Sequence, residues 1–478
     1  MPGRARGMGL VLGPGLAAAL LALGPPAGFA GAAWATAALA AWMATWWVTE
    51  AVPLPVTALL PLPALPALGV SGIGAAAEPF ASPLVFLFLG GFLLAAALQR
   101  HGLHRRLALA IVALAGPRPD RLVAGVLAAT ALISMWVSNT ATAAMMLPIA
   151  LALSRLGAGA GEPGWHRRFE VALLLALAFG ANIGGVATLV GTPPNAVLAG
   201  FLAEHHGITV GFGEWMLVGV PVAAVMLALA WWLLARRVFR VGRAPLDDVA
   251  EFVARERAAL GALTSPERRT AAVVGAAAAA WLGRPWLDPL LPGAPLTDAG
   301  IAITAAVALF ALPARGRSGR PLIDWADTQG LAWGVLVLVG GGLSLGAAIQ
   351  DSGLAAALGG HLGGVAAWPT WATLAAVAAL TAGLSHVTSN TATTATLVPL
   401  AAGLGEAAGE PAVGFAAAVA LAASSAFLLP VATPPNAIVF ASERLRVADM
   451  VRGGAGLVAG GWLVATVAAW LLVPLVLG

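Results

Sequence analysis

Apolar runs long enough to cross a bilayer alternate with short polar stretches from one end of the chain to the other. They predict spans at about 31–49, 54–69, 82–99, 169–202, 213–235, 270–286, 298–313, 331–350, 411–441 and 454–477. Residues 1–30 read as a further membrane helix or as a cleavable signal peptide, because Arg4 and Arg6 precede an apolar core that ends in small residues. The polar stretches carry signals of their own. Glu50 and the prolines between Trp46 and Leu62 mark a break, and the residues from Arg100 to Arg106 open an apolar arm that reaches Ala115 and suits the membrane interface. The long polar segment from Arg236 to Arg269 has Val249, Phe252, Val253 and Leu260 at helical spacing, which predicts an amphipathic linker. Ser265-Pro266 then reads as the N-cap and first-turn proline of the next helix.

One stretch departs from this pattern. Between Arg121 and Leu156 the tripeptide Ser138-Asn139-Thr140 divides an apolar run into two pieces of about 17 and 16 residues, each a helix of about 25 Å and short for a full crossing. A re-entrant hairpin with the tripeptide at its tip fits better. The motif returns 251 positions later as Ser389-Asn390-Thr391, where SMWVSNTATAAMMLPIA is matched by SHVTSNTATTATLVPLA. At the same offset FLGGFLLAAALQRHGL matches LVGGGLSLGAAIQDSGL, with Gly90, Gln99 and Gly102 against Gly341, Gln350 and Gly353. LVGTPPNAV (Leu189 to Val197) returns as PVATPPNAI (Pro430 to Ile438) at an offset of 241. Paired prolines in mid-membrane open the hydrogen-bond ladder and free carbonyls, which only a protein-lined cavity tolerates. The first broken helix carries a second interruption at Gly184-Gly185.

Composition fixes the class. The chain has 478 residues, is 60% apolar and 10% charged, and has a mean hydropathy of +0.91, which makes it a polytopic helical membrane protein with no sign of a nucleic-acid partner. The absence of cysteine excludes disulfides and thiolate metal sites. Starting with the N-terminus inside, alternating spans and a return at each hairpin place every arginine except Arg284 on the cytoplasmic side, with the C-terminus outside. Five spans per repeat is an odd number, so the repeats are inverted. The expected fold is an all-α polytopic membrane protein of about 11 transmembrane helices plus two re-entrant hairpins, in inverted repeats, the architecture of secondary transporters.

Hairpin tips and broken helices would bring together Ser138, Asn139, Thr140, Thr192, Ser389, Asn390, Thr391 and Thr433, all of them neutral. Their donors and the helix N-termini suit an anion, while their oxygens and freed carbonyls suit a hard monovalent cation. No arginine lies within a dozen residues of either tip, so a buried dianion would lack a protein counter-charge. Cations travelling beside it supply one, and with no carboxylate at the tips to carry a proton the cation expected is sodium. A single Ser-Asn-Thr would read as polar glue between helices; duplication, with a Thr-Pro-Pro-Asn break after each copy, argues for a site. The glycine pairs read as close-packing positions, Glu50, Asp324 and Asp327 as capping or solvated groups, and His386 as a packed neutral imidazole. An intramembrane enzyme would need a nucleophile with its base or a metal cluster, and no such His/Asp/Glu grouping falls in mid-membrane.

At WWVTEAVPLPVTALLPL, both Ser-Asn-Thr tips, both Thr-Pro-Pro-Asn breaks and LVGGGLSLG, the chain resembles the divalent anion/sodium symporter family and its di- and tricarboxylate branch, over nearly everything from Trp46 onward. The resemblance implies a homodimer in the lipid bilayer of the cell (inner) membrane, working as an elevator. Its scaffold would be 31–116 and 269–360, and its transport domain 117–240 and 361–478, with 241–268 as a linking arm. It implies a first sodium site at Ser134, Ser138, Asn139 and the Gly191 carbonyl, and a second at Ser385, the Thr388 carbonyl, Asn390 and the Ala432 carbonyl. Substrate carboxylates would meet Asn139 and Thr140 on one side and Ser389, Asn390 and Thr391 on the other, with Thr192, Pro193, Thr433 and Pro434 closing the pocket. The function implied is sodium-coupled symport of a C4-dicarboxylate such as succinate, malate or fumarate. Its rivals are sodium-independent exchange, for which a protonated His386 would replace a cation, transport of sulfate or citrate, and a passive anion channel.

Overall fold

Prolines decide where the early helices stop. The stretch expected to span at 54–69 is instead two short helices, Leu54–Thr57 and Pro61–Ala67, followed by Ile73–Ala77, because each proline removes a backbone donor and crowds the preceding turn. The computed structural model describes residues 2–156, 164–246, 248–290, 296–314, 319–361 and 368–478; Arg315 and Arg317, part of the arginine pattern, lie outside them. Among the described residues the elements are helical, and the β contact is an isolated bridge between Pro313 and Pro321. Among the described residues six helical stretches are long and apolar enough to cross a membrane: Arg6–Leu23, Ile73–Arg100, Trp165–Val186, Phe212–Val238, Trp333–Asp351 and Val447–Leu477.

The two hairpins agree helix for helix. Pro119–Ser134 and Asn139–Leu156 form the first, Thr370–Ser385 and Asn390–Ala407 the second, and all four helix ends keep the 251-residue offset seen in the sequence. Each hairpin is followed by a broken helix, Trp165–Val186 with Pro193–His206 in the first half and Ala412–Ala423 with Pro434–Phe440 in the second. Packing then crosses between halves: Asn139–Leu156 lies against Pro434–Phe440, and Asn390–Ala407 lies against Pro193–His206. Elsewhere Pro83–Arg100 packs on Asp298–Ala311 and Pro2–Leu23 on Gly31–Thr49.

The glycine pair expected to interrupt the first broken helix does not do so. Trp165–Val186 runs unbroken through Gly184 and Gly185, and the break follows at 187–192. The two glycines serve approach instead: a Cβ on Gly184 would meet the Ala131 carbonyl oxygen at 2.2 Å, and one on Gly185 would meet the Asn139 amide at 2.6 Å. Glu50 ends Gly31–Thr49 in the left-handed region at φ 46°, and Asp324 with Asp327 caps the short helix Trp325–Gly330 while pairing with Arg100, so the three acids take terminal roles.

Two charged clusters fix the hairpin and the linker at their polar ends. Asp120, only 1% exposed in the first turn of Pro119–Ser134, takes Arg118 and Arg236 at 2.9 Å each and Arg243 at 3.8 Å. This ties the first hairpin to the end of the Phe212–Val238 stretch. The linker helix is Asp248–Leu260, with Val249, Phe252 and Val253 buried. Its C-terminal carbonyls at Leu260, Gly261 and Ala262 accept from Arg106 at 2.8, 2.8 and 3.1 Å, and the same guanidinium holds Glu267 at 2.5 Å. The N-cap of the following helix Ser265–Leu287 is Thr264, one residue before the one expected, because Glu267 reaches back to the Thr264 N–H and completes a capping box.

Glu267 lies just outside the span predicted at 270–286, and the Arg106 guanidinium holds its carboxyl down to about 2 from the usual 4.5. A depressed value means that its stabilisation is complete above 4.5 and is lost as the pH falls through about 2. Glu267→Gln should therefore lower the melting temperature at pH 7 by roughly a few degrees. The gap to wild type should shrink between pH 4.5 and 2. A gap that stays constant over that range would assign the effect to the cap and not to the ion pair.

Candidate substrate and cation site

Each hairpin turns at its polar tripeptide, and an 18-residue helix begins there. The first turn of a helix has N–H groups without intrahelical partners. At the first tip Ser138 Oγ accepts from the Ala141 N–H at 3.4 Å. At the second, the Ser389 side chain takes none. Thr140 and Pro434 are exposed, Ser138, Asn139, Pro193, Ser389 and Asn390 are half-buried, and Thr192, Thr391 and Thr433 are buried.

Ser134, Asn139 and Gly191 are brought together as expected, and the Ala181 carbonyl joins them. The inner atom of the Asn139 amide has Ser134 Oγ at 2.7 Å, Gly191 O at 3.1 Å and Ala181 O at 3.2 Å around it, and Ser134 donates to Ala181 O at 2.8 Å. With its nitrogen turned in, the amide donates to these acceptors and the cluster satisfies itself. With its oxygen turned in, four oxygens converge, and a cation among them is what offsets their repulsion. In that orientation the four oxygens are of the type a hard cation could use. Gly185 and Gly191 make the close approach possible: a Cβ on Gly191 would meet the Gly185 carbonyl oxygen at 2.5 Å.

The second half repeats the arrangement. Ser385 Oγ is 2.6 Å from both Asn390 Oδ1 and Ala423 O, and its one hydrogen serves only one of them. The Thr388 hydroxyl turns to Leu384 O at 3.0 Å and to Thr393 Oγ1 at 2.5 Å, while Ala432 is buried on the turn Pro430–Ala432. No hydrogen bond among the described residues joins Thr388 or Ala432 to Asn390. His386, the neighbour of Ser385, is buried: its Nδ1 lies 2.6 Å from Ala382 O, and its Nε2 has no partner.

The asparagine of each Thr-Pro-Pro-Asn motif has a role that the sequence reading left unassigned. Asn195, fully buried, donates to the carbonyls of Gly185 at 3.1 Å, Val186 at 3.2 Å and Thr188 at 2.8 Å, the groups released by the break. Asn436 does the same for Ala426 at 3.2 Å and Leu429 at 3.0 Å, the residues 10 and 7 before it, which are the spacings Asn195 uses. Unpaired carbonyls in an apolar interior cost several kcal/mol each, roughly, so the asparagine travels with the prolines. A cavity of about 300 Å³ lies away from the tips, lined by Leu147, Ser154, Arg155, His166, Glu170 and Arg444. Its charged lining near the far end of Asn139–Leu156 does not make it the neutral site. Among the described residues no group of three or more His, Asp or Glu could hold a metal ion.

Two helical hairpins, each followed by a broken helix, with small neutral polar side chains at the turns and breaks, are parts of the kind from which secondary transporters are built. The citrate transporter family, CitMHS, matches residues 44–422. The sodium-dependent dicarboxylate transporter SdcS of Staphylococcus aureus (strain USA300) is 34% identical over 477 residues, covering 98% of this chain and 92% of that protein. SdcS of strain MRSA252 matches equally, at 34% over the same shares. The chain belongs to the divalent anion/sodium symporter family. Among solved structures it shares the fold of the YdaH transporter of Alcanivorax borkumensis, at TM-score 0.59 and 17% identity over 87% of this chain and 90% of that one. MtrF of Neisseria gonorrhoeae, from a class of antimetabolite efflux pumps, follows at TM-score 0.58 and 14% identity over 85% and 84%.

Proposed function

We propose that the protein carries a C4-dicarboxylate such as succinate, malate or fumarate across the cell membrane together with sodium ions. The observation that carries this reading is the paired polar cluster: Ser134 with Asn139, and Ser385 with Asn390, each beside a helix N-terminus and with no arginine within a dozen residues of either tip in the sequence. A dianion in that cradle needs cations of its own to balance it. SdcS, a sodium-dependent dicarboxylate transporter by name, makes sodium and a dicarboxylate the natural pair.

In this reading the halves are inverted repeats within about 11 transmembrane helices, with the N-terminus cytoplasmic and the C-terminus outside. The transport domain, 117–240 with 361–478, moves as an elevator against the scaffold, 31–116 with 269–360, in a homodimer of the inner membrane. The linker at 241–268, clamped by Arg106, is one arm between them. Sodium sits at Ser134, Ser138, Asn139 and the Gly191 carbonyl, and at Ser385, Thr388, Asn390 and the Ala432 carbonyl. The substrate carboxylates sit against Asn139, Thr140, Ser389, Asn390 and Thr391, under Thr192, Pro193, Thr433 and Pro434. Uptake of labelled succinate into proteoliposomes should rise steeply with an inward sodium gradient and need no internal dicarboxylate. Uptake indifferent to sodium but dependent on internal dicarboxylate would replace symport by exchange.

A further inference from the structure

The two breaks differ in how their threonines are held: Thr433 caps the helix it starts and Thr192 does not. Asn182, 2% exposed, lies one turn before the end of Trp165–Val186, and its side chain leaves its own half of the chain. Nδ2 donates to Thr433 Oγ1 at 3.0 Å and to Asn436 Oδ1 at 3.3 Å, both on the second break. Thr433 Oγ1 also accepts from the Asn436 N–H at 3.4 Å. A hydroxyl oxygen has two acceptor positions and one hydrogen. With both positions taken, the Thr433 hydroxyl is left as a donor only, oriented by its neighbours.

Among the described residues the first break shows no such brace. The Thr192 side chain makes no capping bond at the start of Pro193–His206. The counterpart of Asn182, the residue that follows the carbonyl facing the hairpin serine, is Ser424, and its hydroxyl turns back on its own helix to Ala420 O at 3.4 Å. Packing alone does not account for Asn182 either. Its Oδ1 is buried without a partner, a cost that an apolar side chain of the same size would avoid. What the amide supplies at this position is its donor, directed across the halves. Its neighbour Ala181 contributes the carbonyl of the first oxygen cluster, so the same turn of helix touches both sides of the cradle.

We propose that Asn182 is a positioning residue that makes Thr433 a fixed hydrogen-bond donor to a carboxylate oxygen of the substrate, so that substrate affinity is set more by the second break than by the first. This rests on the reading that Thr433 lines a dicarboxylate site. The test is the initial rate of labelled succinate uptake at saturating sodium by reconstituted wild type, Asn182→Leu, Thr433→Val and the double variant. Loss of a bond to a charged group corresponds to a rise in KM of about 10- to 100-fold, with the maximal rate held within about twofold. The double variant should be no worse than the poorer single one, because both remove the same donor. Thr192→Val should raise KM by less than Thr433→Val.

KM effects that multiply in the double variant would overturn the inference. So would an Asn182→Leu protein with a lower maximal rate and an unchanged KM, which is the mark of a brace with no part in binding. If Asn182→Leu fails to reach the membrane, Asn182→Ala is compared instead, and thermal stabilisation of the solubilised protein by succinate reads binding directly. Wild-type protein that takes up no succinate would take both readings down. Wild-type uptake with a KM indifferent to Asn182 would remove this one alone.

Discussion

Asn139→Ala should reduce sodium-driven dicarboxylate uptake by at least about 100-fold at ordinary sodium concentrations. The amide reaches Ser134, Gly191 and Ala181 together, so its loss opens the cluster and removes one of the oxygens proposed to hold sodium. Each interaction with a charged partner is worth about 1.5–3 kcal/mol, and two of them account for a loss of that size. Asn390→Ala should act in the same direction through Ser385. The measurement is sodium-dependent stabilisation by succinate in detergent, followed by uptake in proteoliposomes. Binding retained by the Asn139→Ala/Asn390→Ala double variant would remove both clusters from the site.

The second large effect concerns stability. Asp120→Ala should cost about 3–5 kcal/mol, because it leaves Arg118 and Arg236 close together around a buried position without their counter-charge. Arg243, at 3.8 Å and with a side chain 63% exposed, should matter far less, so Arg243→Ala serves as the control, with a change under about 1 kcal/mol. Thermal unfolding of the purified protein checks both. An Asp120→Ala protein that melts with wild type would mean that the first hairpin is anchored by its apolar contacts alone.

Much of the fold was legible in the sequence because the membrane enforces simple rules. The hairpins could be placed from the length of the apolar runs on each side of Ser138, since a helix of about 25 Å is short for a bilayer wherever it occurs. The repeat carried its own check, and the helix ends keep the offset of the motifs. Errors arose where a local signal competed with packing. Gly184-Gly185 looks like an interruption, yet helical glycine also lets backbones approach, and only the position of Ala131 and Asn139 decides between the two. The proline-rich stretch after Trp46 reads as one apolar run, whereas the structure divides it into short helices. Thr264 and Ser265 are both good caps; Glu267 selects Thr264 because it falls at the third helical position from it.

The site was legible in its side chains and not in its backbone. Ser134, Asn139, Ser385 and Asn390 could be named from the motifs, whereas the Ala181 and Ala423 carbonyls carry no residue-type signature. Asn195 and Asn436 stood in plain view inside the Thr-Pro-Pro-Asn motifs. Their partners are carbonyls 7 and 10 residues back, which only the geometry of the break reveals. Asn182 had a weaker signal still, a lone amide in an apolar helix.

Crosswise packing has a consequence for biogenesis. Because Asn139–Leu156 leans on Pro434–Phe440, and Asn390–Ala407 on Pro193–His206, neither half of the polypeptide can complete its own wall during synthesis. The earlier half must wait in the bilayer, its opened carbonyls held by Asn195, until some two hundred further residues have left the ribosome. Cut within the linker and expressed as two genes, the fragments should be inert singly and regain activity only when made in the same cell.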